Sequence, residues 1–238
     1  MDKDEVLKWM KKEGTQRTID GMARYGIVAK HAFGVTMAQL KSLEKRIGQD
    51  QALSLALWET GWYEARLLAA LVGDAERVTR KQMDAWAESF ENWADCDTAC
   101  FKLFDRSPLA WERALRWSAS PREFVKRGGF TLMACLALHD KAAPDERFIP
   151  FLPLIEEGAH DKRNFVKKGV NWALRSIGRR NLALNTAALE VATRFASSRE
   201  AVCRWVGKDA LRELSSPKVQ AALSRPKAAS MKPAPKKR

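Results

Sequence analysis

The segment FVKRGGFTLMACLALHD at 124–140 returns, at an offset of 41 residues, as FVKKGVNWALRSIGRRN at 165–181. A weaker copy, CRWVGKDALREL at 203–214, begins 38 residues after the second. The earlier YEARLLAALVGD at 63–74 has the same form, a basic residue early in an apolar helix that closes on Gly, His or Asp. A chain that repeats itself at this period is built from one supersecondary unit that cannot bury its apolar face alone, so the units must stack. Two of the units also share the stretch before the repeat, RWSASPREF at 116–124 beside TRFASSREAV at 193–202.

The unit is helical. Apolar residues recur three and four apart, as in Leu53, Leu57 and Trp58 and again in Ala65, Leu67, Leu68 and Leu71, and no period-two alternation lasts long enough for a sheet. Breaks fall at Gly14, Gly34, Gly48, Gly73, Pro108, Pro121, Pro144, Gly158 and Ser197-Ser198, which delimit short helices rather than the long ones of a bundle. Periods near 40 residues belong to HEAT-type helical pairs. The expected fold is therefore all-α, an α-solenoid of tandem HEAT-like repeats with a concave basic face suited to DNA. Residues 1–216 form the expected repeat domain. Residues 217–238, with seven positive charges, no negative ones and four prolines, form a basic tail expected to lack structure beyond about 224. Such a tail serves non-specific DNA attachment or solubility, and the sequence does not separate the two.

Charge narrows the partner. Lys and Arg outnumber Asp and Glu by 42 to 29, a net +13, which favours a polyanion through counterion release. Nucleic acid comes first and an anionic membrane second. No apolar run approaches the roughly 20 residues that span a bilayer, and the N-terminal MDKDEVLKWMKKEG has no signal-peptide apolar region. A cytoplasmic protein is expected, nucleoid-associated if bacterial. Cys96, Cys100, Cys135 and Cys203 read as small buried residues in a reducing compartment, not as disulfides. Neither they nor His31, His139 and His160 show metal-like spacing, so no metal is expected.

The residues with chemical potential sit at similar points of the repeats. Arg66, Arg127 and Lys168 lie early in their helices, where a row of cations follows a phosphate backbone or simply faces water. Trp93 and Asp97, four apart, share one helix face. Of nine tryptophans, Trp9, Trp58, Trp86, Trp111 and Trp117 read as core, and so does Trp93 taken alone. Asp97 stands among Cys96, Ala99 and Cys100 in a helix interior, where aspartate has poor propensity, so it needs a partner or a task. A structural ion pair with Arg127 and a catalytic carboxylate held by Arg127 are both compatible with the sequence.

At NWADCD, RWS…VKRGG and KKGVNWALR the chain resembles the AlkD-like DNA alkylation repair proteins, HEAT-repeat DNA glycosylases that release alkylated purines. The resemblance covers about residues 20–215, from FGVTMAQLKSLEKRI through LALWETGWYEARLLAAL onward. It implies that Trp93, Asp97, Arg127 and Trp172 occupy the family's active-site positions, Asp97 as the catalytic carboxylate and the others binding substrate. It also implies catalysis without an enclosing pocket. Arg127 is expected to bind the phosphate beside the lesion and to orient Asp97, with Arg66 and Lys168 on the DNA backbone. Lys168 and the Gly128-Gly129 pair depart from the closest members; the glycines are expected to let the backbone approach DNA or to mark a less active relative.

The leading expectation is a monomeric, cofactor-free, monofunctional glycosylase for cationic N3- or N7-alkylpurines in duplex DNA. No lysine is placed for Schiff-base chemistry, so no strand cleavage is expected. The alternative is a non-catalytic helical-repeat protein that binds damaged or branched DNA. A scaffold for an acidic protein partner ranks last, because it gives no reason for the Trp, Asp, Arg and Trp set.

Overall fold

Every break read from the sequence lies at or between helix ends. The structure, a computed structural model, describes residues 1–225. In chain order the α-helices are α1 (Lys3–Glu13), α2 (Gln16–Met22), α3 (Met37–Ile47), α4 (Gln51–Trp58), α5 (Tyr63–Val72), α6 (Arg80–Glu88), α7 (Trp93–Lys102), α8 (Ala110–Ser118), α9 (Glu123–His139), α10 (Phe151–Gly158), α11 (Asn164–Gly178), α12 (Leu182–Ala196), α13 (Ala201–Leu214) and α14 (Pro217–Leu223). No strand occurs among the described residues. Gly14, Gly48 and Gly73 are C-caps of α1, α3 and α5, where their amides bond back to the last turn. Polar side chains hold the other ends: Thr36, Asn92 and Asp2 each form a reciprocal capping box.

The helices pair as α4/α5, α8/α9, α10/α11 and α12/α13, and the second helices of these pairs, with α7 between α5 and α9, stack in the order α5, α7, α9, α11, α13. All four copies of the repeated motif fall on helices of this row. A row helix is covered on both sides by its neighbours and behind by its own partner, which is why all ten residues of α5 and most of α9 from Val125 to Ala137 are buried. The fold is thus the expected HEAT-like helical repeat. An aromatic ladder joins successive units: Trp58 stacks on Trp86 with centroids 3.9 Å apart, Trp86 meets Phe104, and Phe104 meets Trp117 edge-on. Trp111 packs on Phe148 and Phe151, and Trp9 is half-buried against the core, as the core reading of these tryptophans requires. All four cysteines are buried and free. No helix of the described residues is long and apolar enough to cross a membrane.

A short helix follows the expected repeat domain of 1–216: Ser216 caps α14, whose Val219 is buried and whose Gln220 donates to Asn185 Oδ1 at 3.0 Å and to the Leu214 carbonyl at 2.7 Å. The basic tail beyond 225 lies outside the described residues. The glycine pair of α9 serves packing rather than an approach to DNA, since both glycines are buried. A Cβ at Gly129 would sit 2.3 Å from the Ser118 backbone nitrogen, so α8 and α9 cross with backbones nearly touching. Gly207 of α13 meets the Ala196 nitrogen of α12 at the same 2.3 Å.

Gly129→Ala is therefore expected to cost about 1–3 kcal/mol through overpacking, read as a fall in the urea midpoint. At Gly128 a Cβ meets its nearest neighbour, Trp117, at 3.4 Å. Gly128→Ala should stay within about 1 kcal/mol of the wild type because ordinary contact is made and helix propensity improves.

Candidate functional site

Asp97 lies one turn into α7, a helix whose start is fixed by two neighbouring polar residues. The Asn92 side chain accepts from the amides of Ala94 and Asp95, and Asp95 returns the contact to the Asn92 amide. Burial pushes the Asp95 carboxyl up to about 6, against backbone N–H groups of Glu91, Asn92 and Cys96 and the charge of Arg66 that pull it down. Asp95 is 1 % exposed and occupied with the helix end, so it is the structural carboxylate of the pair. Asp97, two residues on, keeps part of its side chain at the surface.

Three hydrogen bonds from two side chains hold the Asp97 carboxylate. Arg127 on α9 donates from Nε to Oδ1 at 2.8 Å and from Nη2 to Oδ2 at 2.7 Å, a two-pronged geometry that fixes both oxygens. Thr131, one turn along α9, donates to Oδ1 at 3.0 Å. The remaining arm of the guanidinium, Nη1, donates to the Phe165 carbonyl at the start of α11 at 2.6 Å. One arginine thereby ties α7, α9 and α11 together beneath the carboxylate. Burial works against its charge, but the pull of Asp97 outweighs this and raises its pKa above the usual arginine value. At 6 % exposure Arg127 is a clamp on Asp97, with its guanidinium turned inward.

Above the clamp opens a cleft of about 250 Å³ lined by Tyr25, Trp93, Asp97, Arg127, Phe165 and Lys168. This is below the roughly 300–1,000 Å³ of sites that enclose a small molecule. The Trp93 indole is fixed by donating to the Tyr25 carbonyl at 2.9 Å, and the chain around Tyr25 is held in turn by Asn92 Nδ2 on the Val28 carbonyl at 3.3 Å. Gly26, at φ 67°, turns this segment beside the Phe165 ring. Lys168 is exposed at the rim.

The structure thus brings Trp93, Asp97, Arg127 and Lys168 to one place. It does not bring Trp172 to the cleft: that indole is half-buried one turn beyond Lys168 along α11. The residue at the repeat position equivalent to Trp172, 41 earlier, is Thr131, which touches Asp97 directly. Arg66 lies outside the cleft and is turned inward. It is 9 % exposed, donates to the Ser89 carbonyl at 3.0 Å, lies 3.6 Å from Glu91 and 3.7 Å from Asp95, and covers the Trp58 ring. The next unit of the stack supplied carboxylates that turned an apparent surface cation inward. Sequence reasoning missed Tyr25, Phe165 and Thr131. Phe165 opens the repeated FVKK motif and was visible as part of it, whereas nothing local marks Tyr25.

A model of the family described as "DNA alkylation repair enzyme" matches residues 6–214. One solved structure similar to this chain is described as a new family of proteins related to the HEAT-like repeat DNA glycosylases with affinity for branched DNA structures. The two share 22% identity at a TM-score of 0.75, over 90% of this chain and 95% of that one. A designed armadillo repeat protein in complex with a (KR)4 peptide aligns at 14% identity and a TM-score of 0.36, over 78% of this chain and 89% of that one. No curated protein matches the sequence.

Proposed function

The chain belongs to the DNA alkylation repair enzyme family, and from that premise we propose that it is a monofunctional DNA glycosylase, hydrolysing the N-glycosidic bond of cationic N3- and N7-alkylated purines in duplex DNA. The observation that carries this reading is Asp97: a carboxylate gripped by Arg127 and Thr131, with an exposed edge in a shallow cleft walled by aromatic rings. Pinned oxygens of this kind stabilise charge without reorganising when that charge appears.

The chemistry asks little more. An alkylated N3 or N7 makes the purine cationic, so the base leaves with the bonding electron pair and becomes neutral, and no general acid is needed. The sugar is left with oxocarbenium character at its anomeric carbon. Asp97 stabilises that charge and orients the water that adds there, accepting its proton or passing it to solvent. The product is an abasic site in an unbroken strand. Trp93 flanks the lesion nucleotide and attracts its cationic character, by about 0.5–2 kcal/mol. Trp172 meets the strand beside it, and Lys168 contacts a phosphate. A cleft too small to enclose a nucleotide suits a base that reacts close to the stack instead of being swallowed by a pocket.

A second reading is a non-catalytic protein that binds damaged or branched DNA. It is favoured by the +13 net charge and by the fold shared along nearly the whole chain with a protein whose family has that affinity. Chromatography of free bases separates the two. Release of 7-methylguanine and 3-methyladenine from methylated duplex supports the glycosylase; tight binding to a four-way junction with no base released from methylated DNA supports the second reading. Under either, Lys168→Ala is expected to weaken duplex binding and to lower the slope of log affinity against log salt by about 1, as loss of one phosphate contact requires.

A further inference from the structure

At the far end of the row, the turn between α10 and α11 meets the start of α13, and three donor atoms converge there. His160 Nδ1 lies 2.9 Å from Glu200 Oε1 and 3.6 Å from Cys203 Sγ, and the three ligand atoms all fall within 4.8 Å of one another. Glu200 is the N-cap residue of α13 but its side chain caps no amide, so its carboxylate turns to His160 instead. Cys203, three residues on, occupies the same face of the helix and is 1 % exposed. A catalytic triad would route Cys and Glu to different ring nitrogens of the histidine. Here both approach Nδ1, which makes the group a point of convergence and not a proton relay.

We propose that His160, Glu200 and Cys203 form a binding site for a divalent transition-metal ion of the zinc type, joining the α10–α11 turn to α13. The two separations from His160 Nδ1 come close to the geometry of such an ion. Bonds of about 2.3 Å to sulfur and about 2.0–2.1 Å to nitrogen, at tetrahedral angles, put those two atoms about 3.5 Å apart and the nitrogen and oxygen about 3.3 Å apart. The first matches the 3.6 Å found, and the second needs the Glu200 side chain to withdraw by a few tenths of an ångström from its 2.9 Å contact. A thiolate with an imidazole selects a zinc-like ion over magnesium or calcium.

Charge also fits this basic protein. Binding through Nδ1 places the imidazole proton on Nε2 and releases to solvent the thiol proton that Cys203 directs to the Ala159 carbonyl. One dication with a thiolate and a carboxylate is then neutral, so Lys162 and Lys167, which line the adjoining groove with Glu200 and Trp205, are not opposed by a net positive site. The exposed side chains of His160 and Glu200 leave the fourth position to water. Sequence spacing hides the site, because His160 stands 40 residues before Glu200 and the two meet only when α13 stacks on α11.

The test uses the full chain, stripped with a chelator and titrated with cobalt(II). One equivalent should bind with a thiolate-to-cobalt charge-transfer absorption, be displaced by zinc, and raise the melting temperature. His160→Ala and Cys203→Ser should each remove the absorption, while His139→Ala keeps it. Absence of the absorption in the wild type, or its persistence in either site variant, overturns the proposal. Should Cys203→Ser fail to fold by circular dichroism, the exposed His160→Ala decides alone. The readout does not involve base excision and stands apart from the function proposed above.

Discussion

Asp97→Asn is expected to reduce release of 7-methylguanine and 3-methyladenine from methylated duplex DNA by at least about 100-fold, the scale on which a single preorganised electrostatic contact is lost. Affinity for the same DNA should change little, because binding rests on cations and rings that the substitution leaves in place. The reason is specific to the geometry. An asparagine presents one oxygen where the carboxylate presented two, so one prong of the Arg127 fork, now 2.7 Å from Oδ2, faces an amide donor. It also carries no negative charge to set against the sugar. A full excision rate in Asp97→Asn would take Asp97 out of the chemistry and leave it as the structural partner of Arg127. A urea titration of the variant separates loss of catalysis from loss of folded protein.

The second large effect is on stability. Arg127→Met removes the group that links α7, α9 and α11, and leaves Asp97, 18 % exposed at its side chain, with Thr131 as its remaining hydrogen-bond partner. Breaking a buried ion pair from one side costs about 3–5 kcal/mol, visible as a large drop in the urea midpoint. Arg127→Lys should recover part of this, since it restores the charge without the fork. In the double variant Arg127→Met with Asp97→Asn the uncompensated charge is gone, so its cost should fall well short of the sum of the two single changes. Strict additivity would mean that the two side chains do not act as a unit.

Much of the fold was legible because its causes are local. Glycine and proline breaks, capping residues and the three-four spacing of apolar side chains act within one helix, and the repeated motif marked the row helices α5, α9, α11 and α13. Asp97 was also legible, since an aspartate among small buried residues in a helix interior needs a partner, and Arg127 is that partner. The exposure of each row position was not. Arg66 and Lys168 occupy comparable places in their helices, yet Arg66 is covered by Glu91 and Asp95 of the following unit while Lys168 remains at the rim of the cleft.

The glycines make the same point. Gly128 and Gly129 read as a weakness in α9 or an opening to DNA until α8 is placed against them at contact distance. Trp172 and Thr131 share a repeat position, but only Thr131 faces Asp97, because α7 packs on α9. The sequence alone determined the helices, their repetition and the carboxylate that needs explaining. Stacking decided which cations stay in solvent, which rings wall the cleft and which distant side chains converge, because a side chain's surroundings in a helical repeat are set by the unit packed next to it.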